Sequence, residues 1–385
     1  MKTRKKKKKI VWQQCVGFAF LLLVGAACGL AMVLYLEQPS AEKPLYEEIL
    51  TTVSLFLGMY VAFLFHLTVH EAGHLLFGLM TGYRFCSFRI GSFMWIKEDG
   101  KLKLKRLTIA GTGGQCLMAP PDLKDGKMPL VLYNLGGSII NLILCALFFA
   151  AYLLTPEILI LSPILFIFAI MGFMTALMNG IPMRMGTVDN DGYNAFALSK
   201  NKEAVEAFWV QLKTVEQSAK GIRLKDMPDE WFAFPSDAAM KNSMVATRGV
   251  FACNRLMDAG KYTEADAMMA HLLSIESGMV GLHRSLLICD RMFIELIGED
   301  RSDVIEKMLT KEQKRFMKAM KRFPSVLRTE YALALLFEKD TVKAEKVKAE
   351  FEKVARSYPY VHDLDAEWEL LHLAENKAAE AVKSL

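Results

Sequence analysis

One apolar run in this chain, Ile49–Met80, carries four groups that hydrocarbon rejects: His66, His70, Glu71 and His74. About 20 apolar residues suffice to cross the core of a bilayer as a helix. Ionisable residues inside such a helix are costly, so they face a protein interior or a watery cavity and mark a functional place. Three further runs reach spanning length, at about Val11–Leu36, Leu130–Leu154 and Ile158–Met178. Apolar residues make up 53% of the chain but crowd into its first half, which argues against a single soluble enzyme. The expected fold is an α-helical membrane protein: a four-span polytopic bundle followed by a polar domain.

The run Lys2–Lys9 is almost wholly basic and contributes much of the net charge of +5. Beside an apolar segment it reads as a cytoplasmic topology signal suited to an anionic lipid surface, not as a nucleic-acid site. The first span is too long for the ~7–15-residue core of a signal peptide and reads as an uncleaved anchor. Alternating the spans then places both termini and the segment after Asn179 in the cytoplasm, in keeping with Lys124, Lys127 and Arg184. The expected location is multi-pass, in a bacterial plasma membrane. Seven scattered cysteines with no close pair imply neither a disulfide framework nor a zinc ribbon.

Between the second and third spans, Tyr83–Pro121 has strand character. Met94–Lys97 and the alternating Lys101–Lys105 flank Asp99 and Gly100, a hairpin signal. Gly111, Gly113 and Gly114 follow, able to bend sharply or lie against another backbone. The hairpin reads either as a plain surface element or as an open strand edge that holds an extended substrate. From Ala195 onward the chain is polar and helical. Asp258–Ala265 reads as a turn into a helix, and Tyr331–Phe337 with Ala344–Ala355 as another helix pair, like tetratricopeptide-type (TPR-like) repeats suited to protein contact. The expected domains are residues 1–48 (tail, anchor and outer loop), 49–193 (core, with the hairpin at about 83–121) and 194–385 (a cytoplasmic all-α domain).

His70, Glu71, Ala72, Gly73 and His74 spell H-E-x-x-H. Residues four apart share a helical face, so both imidazoles reach one metal while Glu71 projects toward the water that the metal activates. The glutamate then takes a proton and passes it to the leaving amine. His66, one turn back, reads as a packing or supporting residue. Such a zinc site needs a third protein ligand. The candidates follow the fourth span, where Gly180 and Pro182 end the helix: Asp189 or Asp191, the latter preferred because Gly192 follows it. At ~1.5 Å per residue, His70 lies roughly 30 Å from Glu48, near the inner membrane edge.

These features resemble the site-2 protease family of intramembrane zinc proteases. In that family an H-E-x-x-H helix is followed by a membrane-associated β-hairpin, a middle span, and a span ending in N-x-x-P and an Asp-Gly pair. All four parts occur here in order over about Ile49–Tyr193. The resemblance implies one zinc ion held by His70, His74 and Asp191, with Glu71 as general base. It also draws attention to Gly136, Gly137 and Asn141 in the third span and to the loop Gly113–Met118. Asn190 stands where the family usually has leucine, and about four extra residues precede the aspartate.

Asn179, Asn141, Gly113 and Gly114 are candidates for positioning substrate. The expected activity is hydrolysis of a peptide bond in a transmembrane or membrane-inserted protein or peptide, as in regulated intramembrane proteolysis or the processing of peptides and signal remnants. The helical domain is expected to contact a protein partner. Two rival functions are a membrane protein that binds or moves metal ions through His66, His70 and His74, and a catalytically silent scaffold.

Overall fold

Among the described residues the apolar runs fold as helices, the structure that satisfies its own backbone groups where no water is present. The computed structural model describes residues 44–98, 100–109, 112–155, 161–184, 189–199, 201–299 and 301–383, with scattered positions between 19 and 33. The first expected span, residues 11–36, lies for the most part outside the described residues. The chain divides into two compact units: Met1–Gly82 with Pro129–Ser199, and Tyr83–Met128 with Lys200–Leu385.

In the first unit, α1 (Leu45–Met80), α2 (Val131–Leu154) and α3 (Leu161–Gly180) pack together, and α4 (Asp191–Ser199) follows. By length and composition, Thr52–Met80, Val131–Leu154 and Leu161–Gly180 could each cross a membrane. Phe56, Leu57, Leu147 and Leu154 are exposed, as a lipid surround would favour and water would not. Pro163 is tolerated in the first turn of α3, where its missing N–H costs nothing, and α3 stops two residues before Pro182.

One stripe of α2 turns inward: Tyr133, Asn134, Gly136, Gly137, Ser138 and Asn141 are buried, at helical spacing. Its glycines set how closely the helices approach. A Cβ placed on Gly136 would lie 2.6 Å from the Gly73 carbonyl oxygen, and one on Gly73 would collide with the Gly136 carbonyl. Small residues at such a crossing let two backbones touch.

The second unit holds a four-stranded antiparallel sheet in the order β3-β2-β1-β4, built from β1 (Arg84–Ile90), β2 (Phe93–Glu98), β3 (Lys101–Arg106) and β4 (Gly114–Ala119). The expected hairpin is β2–β3, with Trp95 opposite Leu104 and Glu98 opposite Lys101. A second tight turn joins β1 to β2 at Gly91, whose φ of 58° suits a residue without Cβ. The glycine-led stretch does lie against another backbone, because β4 pairs along β1 with Gly114 opposite Ile90. Arg89 is fully buried and secures that loop, donating to the carbonyls of Gly91 (2.7 Å) and Gly114 (3.1 Å) and to the Thr112 hydroxyl (2.6 Å).

From residue 201 the unit is helical, beginning with α5 (Lys202–Ala219). The sheet belongs to this unit. Trp209 on α5 donates from Nε1 to the Pro121 carbonyl at 3.0 Å, and the Arg106 amide donates to the Ser357 carbonyl at 2.8 Å. Both expected helix pairs form. α6 (Ser243–Asp258) turns at Gly260 into α7 (Tyr262–Ser274), and a segment at 324–337 turns into a helix at Thr341–Ala355. Among the described residues, Cys86, Cys116, Cys145, Cys253 and Cys289 form no disulfide.

Candidate metal centre

H-E-x-x-H lies inside α1, so its two histidines project from one face a single turn apart. The ring centroids of His70 and His74 are 4.9 Å apart. His74 donates from Nδ1 to the Tyr133 carbonyl on α2 at 2.7 Å, which leaves its Nε2 to face inward. The His70 ring lies against Gly137, where a Cβ would come within 2.5 Å of it. Any side chain at that position would push the ring away. Glu71 is buried between the two histidines in sequence, 7% exposed.

Asp191 arrives at the start of α4. One of its carboxylate oxygens lies 2.9 Å from His70 Nε2 and 3.3 Å from His74 Nε2, and the two Nε2 atoms are 3.2 Å apart. A tetrahedral zinc with ligands at about 2.0–2.1 Å needs ligand atoms about 3.3 Å apart. The triangle formed by the two imidazoles and the carboxylate therefore fits one zinc ion, and these residues form a metal-capable cluster. Burial works against a charged Asp191. The two histidines outweigh it and hold the carboxyl below its usual range.

Asp189, the other candidate, points elsewhere: its Oδ1 accepts from Arg184 Nε at 3.1 Å. The residue between the two aspartates explains why. Asn190 accepts at Oδ1 from the amides of Met183 and Tyr193, both at 2.9 Å. Its NH2 donates to the carbonyls of Met178 (2.8 Å) and Ile181 (2.6 Å). The side chain thus caps α4 and laces it to the end of α3, which fixes the direction in which Asp191 leaves the backbone. Gly192 completes the fit, since a Cβ there would run into the Gly180 carbonyl.

The remaining site candidates fall in different places. Asn141 is fully buried, with its amide between His66 and His70. Asn179 donates its NH2 to the Thr175 carbonyl of its own helix at 3.0 Å. Gly113 and Gly114 belong to the other unit, where the Gly113 carbonyl accepts from the Gly91 amide at 2.8 Å. Sequence reasoning gave no part to Asn190 or to the Tyr133 carbonyl. Spacing could not have revealed either, because both act through contacts made only after the helices have packed.

No curated protein and no solved structure matches the chain. The family Peptidase family M50 matches residues 58–355, which is more than half of the chain and includes every residue of the metal-capable cluster. The chain belongs to peptidase family M50, the site-2 protease family of zinc-dependent membrane metalloproteases.

Proposed function

We propose that this protein is an intramembrane zinc endopeptidase that hydrolyses a peptide bond in a transmembrane or membrane-inserted substrate. The observation that carries the proposal is the meeting of His70, His74 and Asp191 beside Glu71, among helices apolar enough to span a bilayer. When bound there, zinc supplies Lewis acidity, activating a water and polarising the scissile carbonyl. Glu71 takes the proton from that water and delivers it to the departing amine. Tyr133 holds His74 through its carbonyl, and Asn190 holds the loop that presents Asp191.

A transmembrane substrate hides its carbonyls in its own helix, so it must unwind before attack. An ion-conducting role is disfavoured by His66, which is fully buried and has its ring nitrogens 3.0 Å from Asn141 Oδ1 and 2.8 Å from the Phe168 carbonyl. Metal analysis of the purified full chain, with cleavage of a panel of membrane peptides by wild type and by Glu71→Gln, tests the proposal. One zinc per chain in both, with cutting in wild type alone, is expected. Wild-type protein that holds no zinc, or a Glu71→Gln variant that cuts as fast, overturns it.

A further inference from the structure

His66, Asn141 and His70 form a chain of side chains from α3 to the metal-capable cluster, and its hydrogen-bond directions can be worked out. His66 Nε2 is 2.8 Å from the Phe168 carbonyl oxygen, which can only accept, so this nitrogen carries a proton. A neutral ring, the form suited to an apolar bundle, then has a bare Nδ1 that must accept. Its partner is the Asn141 side-chain amide, whose oxygen is placed 3.0 Å from His66 Nδ1 and whose nitrogen is placed 3.3 Å from His70 Nδ1. Turning that amide by half a rotation exchanges two atoms of nearly equal size and satisfies every partner. The Asn141 NH2 then donates to His66, and its oxygen accepts from His70 Nδ1–H. His70 is left with a bare Nε2, the form a metal requires.

We infer that His66 is a positioning residue: acting through Asn141, it fixes the His70 ring and its proton on Nδ1, so that Nε2 is ready for zinc. The inference rests on the zinc-protease reading above. The surrounding helices are shaped to admit the arrangement. A Cβ on Gly172 of α3 would come within 2.7 Å of the His66 ring, so only glycine lets the ring reach the Phe168 carbonyl. His66 and Asn141 are both fully buried, which leaves no water to substitute for a lost partner.

The test is zinc affinity of the detergent-purified full chain, measured by competition with a chromogenic chelator, for wild type, His66→Phe, His66→Gln and Asn141→Leu. Thermal unfolding of the metal-free proteins runs alongside. Outer hydrogen-bond partners of metal-bound histidines are worth about 10–100-fold in metal affinity. His66→Phe and Asn141→Leu are expected to lose affinity within that range. His66→Gln should recover most of it, since glutamine offers both an oxygen for Asn141 and an NH2 for Phe168. Unchanged affinity in His66→Phe overturns the inference. So does an equal loss in His66→Gln and His66→Phe, which would reduce His66 to a packing residue. A wild-type chain that binds no zinc instead fails the protease reading itself, and the inference falls with it.

Discussion

Replacing Glu71 by glutamine keeps the shape of the side chain and removes its ability to take a proton. Cleavage is expected to fall by about 10²–10⁴-fold, the usual worth of a general base, while bound zinc stays at the wild-type level. Asp191→Asn should do the reverse and strip the metal. Its loss should exceed about 100-fold in affinity, the upper end for outer partners, because a ligand atom itself is weakened. Asp189→Asn, whose parent carboxylate faces Arg184, should leave zinc affinity unchanged. Chelator competition reads both. His70, Glu71 and His74 were legible because their geometry is local: four residues along a helix put two imidazoles on one face. Asp191 could be narrowed only to one of two carboxylates, since what separates it from Asp189 is the hydrogen bonding of Asn190, which forms with the folded loop.

At the scale of elements, the centre depends on how closely α1 and α2 cross. Gly136→Ala places a methyl against the Gly73 carbonyl, and a helix backbone cannot yield as a flexible side chain can. Overpacking of this kind costs about 1–3 kcal/mol or more, and it should appear as a lower Tm of the purified protein with weaker zinc binding. Asn190→Ala removes four hydrogen bonds, three to Met178, Ile181 and Met183 at and just beyond the end of α3 and one that caps α4 at Tyr193, and should cost about 2–4 kcal/mol, again read as a drop in Tm. The β2–β3 hairpin could be seen in advance because alternation and an Asp-Gly pair are short-range signals. The pairing of β4 with β1 could not, because nothing in either strand names its partner across the intervening hairpin.

At the scale of the whole molecule, composition separated an apolar first half from a polar helical second half, and it did not show that the sheet belongs with the latter. The reason is physical: the joining bonds, Trp209 to Pro121 and Arg106 to Ser357, link positions far apart in sequence. The second unit also carries a charge feature with a measurable result. Burial, then Asp258 and Glu367, push the Asp363 carboxyl up to about 7. Burial likewise raises Glu367 to about 7, with Arg328 opposing and Asp290 and Asp258 adding. The folded state holds these protons more tightly than the unfolded chain, whose carboxyls titrate near about 4. Their contribution to stability is therefore fullest below about 4 and is lost as pH rises from there toward about 7. Thermal melts of the full chain between pH 5 and 8, on the order of one unit apart, should show this decline, and Asp363→Asn should flatten it.

The 121 residues that separate His70 from Asp191 also set an order of birth. A ribosome adding about 5–20 residues per second needs on the order of ten seconds to travel from one to the other. Throughout that interval the nascent helix already carries both imidazoles and Glu71, while the carboxylate that will join them has yet to be made. The last-synthesised contributor thus closes a centre whose first half was made well before it, and whatever accompanies the newborn chain must tolerate two histidines and a glutamate without their eventual companion.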